Sequence, residues 1–179
     1  MVVVDIVLDG AFAALAGIGF MSISNPPRLA YPAVAALAAV GHSIRFMLMN
    51  LGGMSISLAC LFAALSIGFL AIPAARLVHC PAETFSFPSL LPMIPGMYAY
   101  RTVQAVVNCL QTSDEAEFMH WLYMLAYNGL TALCAIMLMV IGVTVPIFIL
   151  KKHSFDVTRV KKNSVGYPYG GGGSRKKEC

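Results

Sequence analysis

Five apolar runs, each long enough to cross the hydrocarbon core of a bilayer, take up most of the first 150 residues of this chain. They are roughly Ile6–Ile23, Leu29–Met49, Met54–Ile72, Phe85–Leu110 and Phe118–Leu150. A membrane-spanning helix needs about 20 mainly apolar residues. Composition points the same way: 59% of residues are hydrophobic, 11% are charged and the mean hydropathy is +0.77. A soluble domain carries about 25% charge. The expectation is an all-α integral membrane protein with five transmembrane helices. Residues 1–150 would form one membrane domain, and 151–179 a basic polar tail.

The boundaries are marked by breakers. Asn25-Pro26-Pro27-Arg28 ends the first run, and Asn50-Leu51-Gly52-Gly53 turns between the second and third. Pro73 is expected to end the third, with Arg76 just beyond. The acidic patch Asp114-Glu115-Ala116-Glu117 precedes the fifth, which is long enough to tilt or to project from the bilayer. Arg28, Arg76 and the basic tail fall on one side; Asp5, Asp9 and the acidic patch fall on the other. The positive-inside rule then places the N-terminus outside and the C-terminus in the cytoplasm of a plasma membrane.

Several function classes fall away. The net charge of +4 is concentrated in the tail, which reads as a topology anchor near lipid headgroups, not a nucleic-acid surface. Gly170–Gly173 and Ser174 read as linker. Cys60, Cys80, Cys109, Cys134 and Cys179 show no metal-ligand spacing, so neither a disulfide framework nor a metal is expected. MVVVDIVLDG, with Asp5 and Asp9, lacks the positive start of a cleavable signal. No GxSxG, HExxH, phosphate loop or intramembrane carboxylate pair is present, so no enzyme and no cofactor are expected. Small residues four apart, such as Ala13 and Gly17, Ala59 and Ala63, and Ala64 and Gly68, suit close helix packing in lipid.

The fourth run is different. Pro88, Pro92 and Pro95 interrupt it, and Gly96 follows the last directly. Each proline removes an N–H and clashes with the carbonyl a turn back. At membrane depth the freed groups must be met by protein, water or solute. Interrupted helices mark transporter binding sites, and a helix restarting at Gly96 would turn its positive end toward an anion; the alternative is a proline-kinked helix with a structural role alone.

Polar residues inside the runs supply the other candidates. His42 and Arg45 are three apart and share a helix face. Arg45 suits a carboxylate, and His42 beside it suits a hydrogen-bond or proton-carrying role. The competing reading has Arg45 reaching out past Met49 to the headgroups. Arg101, after Tyr98 and Tyr100, is a second cation without an acidic partner in any run, unless it pairs with Asp114. Asn128 and Thr131 share a face of the fifth run, and either bridge helices or touch solute. His120 and Trp121 read as an interfacial belt, and His79 as loop.

Taken together, Asn25-Pro26, the GHxxR of Gly41–Arg45, the PMxPGxxAY of Pro92–Tyr100 and the Asn128–Ala132 stretch resemble the bacterial threonine/serine exporter family. More narrowly they are similar to its short C-terminal-half module, over roughly residues 12–135. The resemblance implies secondary export of small carboxylate solutes across the bacterial inner membrane: threonine and serine, or dicarboxylates such as succinate in two-component systems. It implies a second exporter subunit as partner and leaves self-association open. It carries solute-site roles to His42, Arg45, Pro95, Gly96, Tyr100 and Asn128. A different class, a non-transporting scaffold that stabilises a partner, would need the small-residue faces but neither the break nor the embedded cations.

Overall fold

The computed structural model describes residues 2–23, 26–78 and 80–150, and among these every regular element is helical. The helices are α1 Val2–Ile23, α2 Ala30–Asn50, α3 Ile56–Val78, α4 Glu83–Leu90, α5 Gly96–Gln111 and α6 Glu115–Ile149, with a 3-10 turn at Leu91–Met93. The tail from residue 151, His79 and Asn25 lie outside the described residues.

Four helices, α1, α2, α3 and α6, are long and apolar enough to cross a membrane. The fourth expected span is not one helix. It is divided into α4, the 3-10 turn and α5, so continuous helices alone do not make five crossings. Two expectations about proline need correction. Pro73 does not end the third helix; α3 runs through it to Val78, carrying Arg76 in its last turn. Likewise Pro88 lies inside α4. A proline removes its own N–H bond and crowds the carbonyl a turn back, and a helix packed among neighbours absorbs both. The interruption therefore falls at Ile94 and Pro95, where two consecutive residues leave helical geometry, with ψ of 129° and 67°.

α6 starts where the acidic patch is. Asp114 is extended (φ −86°, ψ 127°), and its carboxylate accepts the Glu117 N–H at 3.4 Å. Glu115 and Glu117 add negative charge to the first turn, favourable at the positive helix end. At 35 residues α6 is about 52 Å long, well beyond a hydrocarbon core of about 30 Å.

α3 packs most extensively on α6, α1 on α2, and α4 against α1, α2 and α3. Missing side chains allow these approaches. A Cβ added at Gly142 would stand 2.7 Å from the Leu61 carbonyl oxygen, and one at Gly68 would stand 2.8 Å from that of Val143. On the other seam, a Cβ at Gly17 would meet Ala38 Cβ at 3.0 Å. Met21, Val34, Ile67, Phe85 and Met93 are fully buried between α1, α2, α3 and the broken segment. α5 is the outlier, packing along α6.

Candidate functional site

The break has a defined backbone. Ile94 N–H closes the 3-10 turn onto the Leu91 carbonyl at 3.2 Å. Gly96 N–H then bonds the Ile94 carbonyl at 2.7 Å, an inverse γ-turn centred on Pro95. The α5 helix begins with Tyr98 and Ala99 N–H on the Pro95 carbonyl, at 3.1 and 3.3 Å. Three of the first four N–H groups of α5 are thus already accepted by Ile94 and Pro95. The expected array of free donors for an anion is reduced accordingly, although the positive helix end remains.

The carbonyls left behind are met by side chains of α2. His42 Nε2 lies 3.1 Å from the Pro92 oxygen, and Arg45 Nη1 donates to the Met93 oxygen at 3.2 Å. Their three-residue spacing puts both on the face toward the break. Gly41 keeps that face low, because an added Cβ there would collide with Ile67 and come within 3.8 Å of Met93 Sδ. Arg45 therefore turns inward and does not reach for the headgroups. Its Nε is buried with no partner among the described residues, and Cys60 of α3 lies beside the guanidinium.

One residue of this cluster escaped the sequence reading. Asp9, counted there as an outer loop charge, lies inside α1, and its Oδ2 stands 2.8 Å from His42 Nδ1. Asp9 already fell within the apolar run Ile6–Ile23, but its charge was counted only toward topology. The signal was present in the spacing. Asp9, Ala13 and Gly17 are four apart, so the acid belongs to the same packing face as the small residues.

The structure divides the sequence candidates. His42 and Arg45 reach the break at the Pro92 and Met93 carbonyls, Pro95 is its turn residue, and Gly96 is exposed after it with free space where a Cβ would go. Tyr100 is 63% exposed and points away from the bundle. Asn128 is buried, donating Nδ2 to its own helix at the Met124 carbonyl, 2.7 Å away. It lines a separate pocket of about 480 Å³ between α5 and α6, together with Arg101, Gln104, His120, Trp121 and Tyr127. Thr131 likewise bonds back, to the Tyr127 carbonyl at 2.7 Å. Arg101 forms no ion pair among the described residues. Asp114 caps α6, and Glu117 accepts from Thr112 Oγ1 at 2.8 Å and from Trp121 Nε1 at 3.4 Å. The proposed Arg101–Asp114 pair is therefore absent. Cys60, Cys109 and Cys134 are free thiols.

Chemically, the break offers a guanidinium with spare donors and an acid–base pair, all converging on two backbone carbonyls within an apolar bundle. It holds no nucleophile set for covalent chemistry among the described residues. A family model described as Threonine/Serine exporter, ThrE matches residues 9–149. A protein of Haemophilus influenzae described as an uncharacterized protein is 35% identical over 100 residues, 56% of this chain and 33% of that protein. The match thus spans about a third of the relative's length. No solved structure matches. With the family model covering most of its length, the chain belongs to the threonine/serine exporter family, a family of membrane transporters and not of enzymes.

Proposed function

We propose that this chain is one half of a secondary exporter for small carboxylate-bearing solutes, threonine and serine or a dicarboxylate such as succinate. The observation that carries the reading is the helix break held by Arg45 and His42 of α2. Irregular backbone in an apolar bundle is tolerated where it lines a solute path. Arg45 uses Nη1 on the Met93 carbonyl and keeps other donors for a carboxylate. In this reading α4 and α5 together make the fourth of five crossings, with the N-terminus outside and the C-terminus in the cytoplasm. The other half is a second membrane module of the same family. That the match covers only part of a longer relative is consistent with such a division.

The test is efflux of labelled threonine or succinate from preloaded cells expressing this chain, alone and with that second module. Arg45→Gln should lower efflux roughly ten- to a hundredfold while membrane insertion is retained, the range for losing a charged hydrogen bond. Normal efflux by that variant would remove Arg45 from the site. No efflux from either combination, with both proteins in the membrane, would favour the scaffold.

A further inference from the structure

The transport reading leaves Asp9 without a task. His42 Nδ1 lies 2.8 Å from Asp9 Oδ2, and His42 Nε2 lies 3.1 Å from the Pro92 carbonyl oxygen. A carbonyl and an ionised carboxylate are both acceptors. Neutral imidazole has one N–H and one lone pair, so it donates to only one of them. Two arrangements satisfy both contacts. In the first, imidazolium donates Nδ1–H to the Asp9 carboxylate and Nε2–H to Pro92. In the second, a protonated Asp9 donates to Nδ1 while Nε2–H goes to Pro92. They differ only in where the proton sits. Each holds one proton more than neutral histidine beside ionised aspartate.

We propose that Asp9 and His42 form a proton-binding site, and that the bound proton latches the helix break to α1 and α2. The pair is placed for this. His42 side-chain exposure is 9% and that of Asp9 is 30%, so the acid is the end from which the proton exchanges. The groups facing the pair are few. From α2, Arg45 Nη2 stands 3.5 Å from Nδ1, too far to displace a contact at 2.8 Å, and its Nη1 is engaged by Met93. On α1, Asp5 lies one turn before Asp9 and is exposed. From α3 the titratable group is Cys60, beside Arg45. The break itself contributes carbonyls, and Glu83 sits exposed at the distant start of α4.

When the proton leaves, His42 keeps one N–H for two acceptors. The carboxylate is the stronger acceptor and takes it. The Pro92 carbonyl is then without its donor, and the side-chain hydrogen bond that still ties the break to α2 is that of Arg45. Resting on the transport reading, that freed carbonyl is an acceptor for which a solute ammonium group competes with the proton.

The test uses the full chain in lipid discs, without solute. Nitrogen NMR of labelled histidine, assigned with His42→Gln, reads the imidazole, and infrared spectroscopy reads the Asp9 carboxyl. At neutral pH the wild type should show His42 doubly protonated, or a carboxylic-acid band that Asp9→Asn removes. Neutral His42 beside ionised Asp9 would overturn the proton site, and this readout needs no variant to fold. Hydrogen exchange then tests the latch. Raising the pH until His42 is neutral beside ionised Asp9 should speed exchange across residues 91–99 at least severalfold, after correction for its intrinsic pH dependence, while α3 stays unchanged. Asp9→Asn, whose amide donates to Nδ1 as the protonated acid does, should stay slow at that pH. Wild-type exchange that does not change with the proton would overturn the latch. Neither readout involves a solute. Absent efflux with both results as expected would therefore count against the transport reading and leave the latch standing.

Discussion

The two pieces of the broken segment meet at Pro95 and sit in opposite surroundings. α4 buries Phe85, Ser86, Pro88, Ser89 and Leu90 among its eight residues, whereas α5, at sixteen, buries only Ala105. α4 is wedged among α1, α2 and α3, while α5 leans on α6. Their polar groups differ to match. Around α4 and the turn, polar atoms are spent on the protein itself: Ser89 on backbone, and the Pro92 and Met93 carbonyls on His42 and Arg45. On α5, Arg101, Gln104, Asn108 and Gln111 recur at spacings of three and four and form one polar stripe. That stripe lines the 480 Å³ pocket and a shallower one of about 380 Å³ nearer the start of α6. One piece is a fixed wall, and the other presents its chemistry outward. A segment divided in this way suits a pathway that forms against something outside this chain.

The largest effect should come from the α3–α6 seam, which holds in place the helix α3 that the wall packs against. Gly142→Leu puts a side chain against the Leu61 carbonyl, and Gly68→Leu puts one against that of Val143. Backbone cannot swing aside as a side chain can. Either change should cost at or above the roughly 1–3 kcal/mol of ordinary overpacking. Most monodisperse protein should be lost on detergent extraction. Gly96→Ala, at the break but in free space, should leave extraction unchanged. If both glycine classes behaved alike, the contrast between a packed wall and an open break would fail.

A second comparison sets the two arginines against each other. Arg45 is half-buried and committed to Met93, and Arg101 is exposed in the α5–α6 pocket. Arg101→Gln should lower efflux by roughly two- to fivefold, the range of an exposed charge interaction, against the larger loss expected at Arg45. Equal losses would move the solute site from the break to the outer pocket.

How much of this was readable in the residues depends on which force places each one. The hydrophobic runs set helix positions, because backbone in lipid has no alternative to internal hydrogen bonding. The Gly41–Arg45 stretch was readable too, since a cation in an apolar run must find a partner. Where proline acts was not. Pro73 and Pro88 stay inside helices, and only Pro95, next to Ile94 in an extended conformation, breaks the chain. One lost N–H is identical in all three cases, and the surrounding packing makes the difference. Asp9 was missed because its charge was counted toward topology before its face was considered. The separation of Asn128 from His42 is set by the α5–α6 contact, which no local spacing encodes.

The smallest difference is also the most local. Ser89 Oγ donates to the Phe85 carbonyl of its own helix at 2.7 Å and stands 3.3 Å from the Val34 carbonyl of α2. Thr102 Oγ1 bonds only within α5, to Tyr98 at 2.7 Å. A serine has one hydroxyl proton, and the shorter bond takes most of it. What reaches across to α2 is a minor share, so Ser89→Ala should lose about 0.6 kcal/mol, the average for such bonds in membrane bundles. Thr102→Val keeps the shape and removes a bond with no interhelical reach, so its effect should be about zero by the same reasoning. Unfolding in mixed micelles measures both. A Thr102→Val loss as large as that of Ser89→Ala would mean that α5 is held by more than its contact with α6, and the outward-facing half of the broken segment would then be as fixed as the wall.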